Sequence, residues 1–160
     1  MKHQRGFSLI ELLIVVAIIL IIAAIAIPNL LRSRMAANES SAVGSIRTVN
    51  TAELTYQLTY PAQGFACTLP TLGPPPPMMP PNQLRADLID KTLAAGQKSG
   101  YSIQLQACGP NPPNVAYQAT ATPLALGTSG QRAFCSDASG VIRFSSDGQA
   151  ATCLAAGNVL

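Results

Sequence analysis

The feature that most restricts what this chain can fold into is an apolar run from Phe7 to Ile27, interrupted by one carboxylate, Glu11. As a helix rising about 1.5 Å per residue, the run spans about 31 Å, the hydrocarbon thickness of a bilayer. An acid inside such a segment is costly unless something partners it. A short basic leader, Met1 to Gly6, precedes the run and contains Lys2 and Arg5. The positive-inside rule keeps the leader cytoplasmic and puts the rest of the chain outside.

Three readings compete. A secretory signal has an apolar core of about 7–15 residues and then a small-residue cleavage site. This run is longer, and Ala24-Ile25-Ala26 before Ile27-Pro28 is a poor site of that kind. A plain membrane anchor fits the length but gives Glu11 no role. The third reading cuts the chain after Gly6 and keeps the helix. Gly6 presents no side chain to a protease at the membrane surface. Glu11 then lies four residues along the helix from the new terminus at Phe7, about 6 Å deeper. A neighbouring copy's freed amine can descend that far in a staggered packing and neutralise it.

The stretch Arg5-Gly6-Phe7-Ser8-Leu9-Ile10-Glu11-Leu12-Leu13-Ile14-Val15-Val16-Ala17-Ile18, continued by Ile25-Ala26-Ile27-Pro28-Asn29, resembles the type IV prepilin signature. The resemblance covers residues 1–60; beyond them only the architecture is similar. It implies that a prepilin peptidase cleaves between Gly6 and Phe7 and methylates the new Phe7 amine. It further implies that Glu11 pairs with the Phe7 amine of an adjacent subunit as a helical filament of identical chains assembles.

The rest of the chain divides accordingly. Residues 1–6 are the leader, 7–27 the membrane and filament-core half of a helix, 28–60 its amphipathic half, and 61–160 a globular head. Pro28 removes one helical hydrogen bond and is expected to kink or loosen the helix there. Beyond it Leu31, Met35, Ala42, Ile46, Val49, Tyr56 and Tyr60 recur at helical spacings, with Arg32, Arg34, Glu39, Arg47 and Glu53 expected mostly off that stripe. One helix from Ser8 to Tyr60 would be about 80 Å long. Asn38-Glu39-Ser40 matches the N-glycosylation pattern, a chance match in a helix of this kind.

The head opens with a proline-rich loop at 70–81, expected to be a stiff surface spacer. Leu84, Leu88, Ile89 and Leu93 suggest a short helix over 83–96. Period-two alternation then marks strands at 101–107 and 115–121, and a hairpin joins 131–136 to 141–146 through Asp137-Ala138-Ser139-Gly140. The expected class is α+β: a pilin fold in which the long helix packs on a four-stranded antiparallel sheet.

Cys67, Cys108, Cys135 and Cys153 all follow the membrane segment and form no C-x-x-C pair, so two disulfides in an oxidising compartment are expected. Four cysteines permit three connectivities. The favoured one joins Cys135 to Cys153 across a hairpin and the tail, leaving Cys67 with Cys108.

Composition excludes several function classes. The sole histidine, His3, lies in the leader, so a processed chain has no histidine for a Ser-His-Asp triad and lacks the commonest metal ligand. Outside Lys2 and Arg5 the charges nearly balance, and no basic patch with interleaved aromatics exists, so no nucleic-acid partner is expected. Asp137 and Asp147 flank the last strand, where some related pseudopilins bind calcium. Both sit in turn contexts, and calcium needs at least six oxygen ligands, so no metal is assigned. No cofactor and no enzymatic activity are expected.

The resulting expectation is a structural subunit of a type IV pilus. The precursor would lie in the bacterial inner membrane with its head in the periplasm and, worked on by the pilus or secretion assembly machinery, end in an extracellular filament. The alternatives are a pseudopilin of a type II secretion system, or a minor pilin whose head binds DNA or a surface.

Overall fold

The computed structural model describes residues 8–109 and 111–160, so the leader, Phe7 and Pro110 lie outside the described residues. Helix α1 runs Leu9–Thr59, and Pro28 lies inside it without ending it. Because proline has no N–H, the Ala24 carbonyl loses its usual donor there. By contacts the chain divides at Arg34/Met35 into two units.

The first unit is the amino-terminal part of α1. From Leu9 to Leu31 its large apolar side chains are all exposed, from 46% at Val16 to 79% at Leu9.

The second unit, Met35–Leu160, holds the core. Its part of α1 buries Glu39, Ala42, Ile46, Val49, Glu53 and Tyr56. These positions alternate in steps of three and four, which places all six on one face. The expectation that Glu39 and Glu53 lie off the stripe is therefore corrected: both are on it. After α1 come α2 (Leu69–Leu72) and α3 (Lys91–Ala94). Then β1 (Gln97–Lys98), β2 (Tyr101–Gln106), β3 (Gln118–Pro123), β4 (Ala133–Asp137) and β5 (Arg143–Ser145) follow, with α4 (Ala150–Ala156) and β6 (Asn158–Val159) at the end.

The sheet is an antiparallel meander in the order β1-β2-β3-β4-β5-β6. The expected class holds, with six strands in place of four. The two additional strands are the two-residue edges, β1 and β6. Ile103 and Ala121 face each other across β2 and β3, and Ala121 faces Phe134 across β3 and β4. All three join Ile46, Val49 and Tyr56 of α1 in one buried cluster.

The helix expected over 83–96 shrinks to α3. Upstream, Asn82 and Arg85 pair as an isolated bridge, and Asp87 sits at φ 56°, a left-handed conformation that helices do not continue through. The Asp90 side chain then accepts from the Leu93 N–H at 2.9 Å and starts α3 as its N-cap.

Polar contacts along the buried face fix how the head packs. Glu39 Oε1 accepts from the backbone N–H of Gln131 (2.9 Å) and Arg132 (3.2 Å), and its Oε2 binds the Arg132 guanidinium at 2.8 Å. That guanidinium also lies over the rings of Phe134 and Phe144, at 5.5 and 5.2 Å from their centroids. Asn50 Nδ2 donates to Ser136 Oγ at 2.9 Å, and the Tyr117 hydroxyl donates to Asn50 Oδ1 at 3.1 Å. Cys67 is joined to Cys108 and Cys135 to Cys153. In the chain-entropy account, their separations of 41 and 18 residues correspond to about 4 and about 3 kcal/mol of stabilisation.

Candidate assembly site

The residues singled out by the sequence fall in two places. Gly6 and Phe7, the expected cleavage and methylation positions, lie outside the described residues. Glu11 is in the first turn of α1. The helix reaches that far because Leu, Ile and Ala dominate the segment and no residue before Pro28 breaks it. An 18-residue window of α1 has a mean hydropathy of 3.3, and none of it is buried within the chain. Such a surface is stable only against lipid or against other apolar helices.

Glu11 has a partner within its own turn, one that the expectation of an intersubunit pair did not include. Its Oε2 accepts from the Ser8 backbone N–H at 2.9 Å, and the Leu12 N–H donates to the Ser8 carbonyl at 3.3 Å. Ser8-Leu9-Ile10-Glu11 has the S-x-x-E spacing of a capping box, in which the third helical residue reaches back to satisfy the cap amide. That spacing was readable from the chain. A carboxylate at a helix amino terminus also faces the positive end of the macrodipole. One oxygen is therefore satisfied locally, and no described side chain meets the other.

Two further sequence expectations concern the head. The amide of Asn38 in the glycosylation-like triplet donates to the Ser129 carbonyl at 2.8 Å, and the next residue, Glu39, is buried in its clamp. The triplet is thus a packing element. Asp137 accepts from the Ser139 N–H and pairs with Arg143, while Asp147 accepts from the Gln149 N–H at 3.0 Å. Both act as turn residues, and among the described residues no group of three or more His, Cys, Asp or Glu side chains could hold a metal.

The head also contains a buried acid with an unusual environment. Glu53 is fully buried; its Oε2 accepts from the Ala66 N–H at 2.7 Å, and its Oε1 has no partner among the described residues. Burial pushes its pKa up to about 8, against a smaller downward pull from the Ala66 N–H. Glu39 goes the other way. Burial acts to raise its pKa, but the Gln131 amide and the guanidinium and amide of Arg132 hold it below the ordinary value.

Against known families, residues 1–27 match the model described as the prokaryotic N-terminal methylation motif. Among curated proteins, the chain is 60% identical over 40 residues to the type IV wide pilus major component PilA4 of Thermus thermophilus. It is 48% identical over 54 residues to the type IV major pilin protein PilA of Myxococcus xanthus. It is 35% identical over 81 residues to the type II secretion system core protein G of Pectobacterium carotovorum. These alignments take in 25%, 34% and 46% of this chain, and 30%, 24% and 52% of the three relatives. No solved structure matches. In its amino-terminal segment, with the methylation motif leading into an exposed apolar helix, this chain is pilin-like.

Proposed function

We propose that this chain is a structural subunit of a type IV pilus, cleaved between Gly6 and Phe7 by a prepilin peptidase, methylated at Phe7 and polymerised through α1. The observation that carries this reading is the apolar helix Leu9–Leu31, wholly uncovered in the single chain and led by a processing motif. In the precursor, lipid of the inner membrane covers that surface, with the head on the periplasmic side. In the filament, copies of the same helix replace the lipid and the heads form the outer surface. The head carries no chemistry in this reading, and the chain is a building block, not an enzyme.

Glu11 supplies register. With one oxygen held by the Ser8 amide, its charge is presented at a fixed height for a neighbour's Phe7 amine. A charge deep in a bilayer costs about 2.5–3.5 kcal/mol on insertion scales. Near the helix end the penalty is smaller, so an unassembled subunit persists, and pairing removes what remains. Glu11→Leu tests this: the variant is expected to insert, be processed and accumulate in membranes while failing to enter filaments. Filaments at the wild-type level would refute the pairing.

A second reading, a pseudopilin of a type II secretion system, is favoured by one observation: the match to the secretion core protein extends further along this chain than either pilin match. Recovery of the chain in sheared surface fibres supports the pilus. Loss of protein secretion on its deletion, with no fibres, supports the pseudopilin.

A further inference from the structure

The buried Glu53 is bonded by the Ala66 N–H of a five-residue strap, Gln63–Cys67, of which Phe65 and Ala66 are themselves buried. At its start the strap bonds the Tyr60 carbonyl through the Gln63 and Gly64 N–H groups and Gln83 through the Gln63 side chain. From Phe65 on, apart from the Ala66 N–H bond to Glu53, it is fastened to Cys108 and Asn114. The Phe65 N–H donates to the Asn114 carbonyl at 2.9 Å, and the Asn114 N–H returns to the Gln63 carbonyl at 2.8 Å. Asn114 Nδ2 bonds the Phe65 carbonyl at 3.1 Å and lies 2.9 Å from Cys67 Sγ. Cys108 Sγ is 3.6 Å from the Ala66 carbonyl oxygen, and the Cys67–Cys108 disulfide closes the same seam covalently. At Gly64 (φ 73°) a side chain would overlap the Asn114 backbone, so the two stretches run in direct contact. Among the described residues, the titratable groups facing Glu53 are the hydroxyls of Tyr56, on its own helix, and Tyr117, from across the core. The strap adds no charged side chain.

We propose that the Gln63–Cys67 strap is a disulfide-locked cover on Glu53: oxidation of Cys67 and Cys108 shuts it over the dry carboxyl, and reduction lets it open and admits water. The redox step is an ordinary exchange. A dithiol reductant gives two electrons and two protons to the Cys67–Cys108 bond, leaving two thiols on this chain and a disulfide on the reductant. Opening is then self-reinforcing at neutral and higher pH. A wetted Glu53 ionises there, and an ionised carboxylate with no cation to meet it resists being covered again. In acid the carboxyl stays neutral and the hydrogen bonds to Asn114 suffice to keep the cover down. Oxidation of the exported chain thus acts as the closing step of the head, and Glu53 sets the pH range in which that step is needed.

Hydrogen exchange on the full-length chain in detergent micelles tests this, with rates corrected for intrinsic pH dependence. The comparison is wild type against Cys67→Ser/Cys108→Ser, near pH 5 and near pH 8, with protection of β3 as the control for the fold. Protection of residues 63–67 should fall at least tenfold in the double variant near pH 8, much less near pH 5, and not in β3. Adding Glu53→Gln to the double variant should restore protection near pH 8. Three results would overturn the proposal: unchanged protection in the double variant near pH 8, a loss that is the same at both pH values or survives Glu53→Gln, or a loss shared by β3.

Discussion

Replacing Glu53 by glutamine should make the head more stable at neutral pH, although it removes a native carboxyl from the core. The side chain keeps its shape, and the amide oxygen can still accept from the Ala66 N–H that now bonds Glu53 Oε2 at 2.7 Å. What disappears is the proton linkage. In the wild type the folded-state pKa is about 8 against an ordinary value of 4.5. The contribution of a group raised in this way is fully present below the unfolded value and is lost as pH rises to the folded one. At pH 7 the unfolded chain has released its proton while the folded chain retains it. At about 1.4 kcal/mol per unit, the loss there is about 3 kcal/mol. The glutamine variant has no such loss. Near pH 5 the two proteins should be nearly equal, since both then bury a neutral group of the same size. For the unit Met35–Leu160, 3 kcal/mol corresponds to a shift in melting temperature of about 10 °C. Urea titrations of that unit, followed by circular dichroism at closely spaced pH values from 4 to 8, provide the assay. Wild type should fall steadily over the range while Glu53→Gln stays flat. Superimposable pH profiles would refute the claim that Glu53 is neutral in the folded head.

Two other substitutions probe the packing of the helix on the sheet. Glu39→Ala leaves two backbone N–H groups and the Arg132 guanidinium without their acceptor, and should destabilise the head by about 2 kcal/mol at pH 7 by chemical denaturation. Its effect should shrink as pH falls below the ordinary carboxylate value of 4.5, because Glu39 is held below that value and stabilisation of that kind is lost as pH falls through the folded-state pKa. Gly130→Ala places a Cβ against the Tyr101 ring and hydroxyl, the group that donates to the Arg132 carbonyl at 2.8 Å. The overlap should cost about 2–3 kcal/mol, visible as a lower melting temperature with unchanged processing at the amino terminus.

Much of this architecture could be read from the chain because the relevant signals are long and periodic. The expected helix, Ser8 to Tyr60, differs from Leu9–Thr59 by one residue at each end, since apolar spacing persists throughout and Pro61 stops it. Strand β2 was legible from the alternation of Tyr101, Ile103 and Leu105 with Ser102, Gln104 and Gln106, and the hairpin from Asp137-Ala138-Ser139-Gly140. The short elements were not: two residues in β1 or β6 contain no period to detect. Leu84, Leu88 and Ile89 mimic a helical stripe, but Asp87 in a left-handed conformation interrupts it, and Leu84 is 72% exposed.

The burial of the two acids was hard to read from the chain for a physical reason. Charge in a helix ordinarily signals solvent, whereas Glu39 has an arginine and two amides to meet it, and burial favours the neutral form of Glu53. Their spacing with Ala42, Ile46, Val49 and Tyr56 was the available signal. At the candidate assembly site, Glu11 is conspicuous as the one acid in the apolar run, and it also bonds the Ser8 amide locally. The S-x-x-E spacing carries that signal, a partner within the turn alongside any on another chain.

Assembly as proposed requires a processed amino terminus that can reach a neighbour's Glu11. The intact mass of the chain isolated from its native cells measures this directly. The proposal predicts loss of Met1 to Gly6 and gain of one methyl group at Phe7. An unprocessed leader, or removal of the whole apolar helix, would contradict it.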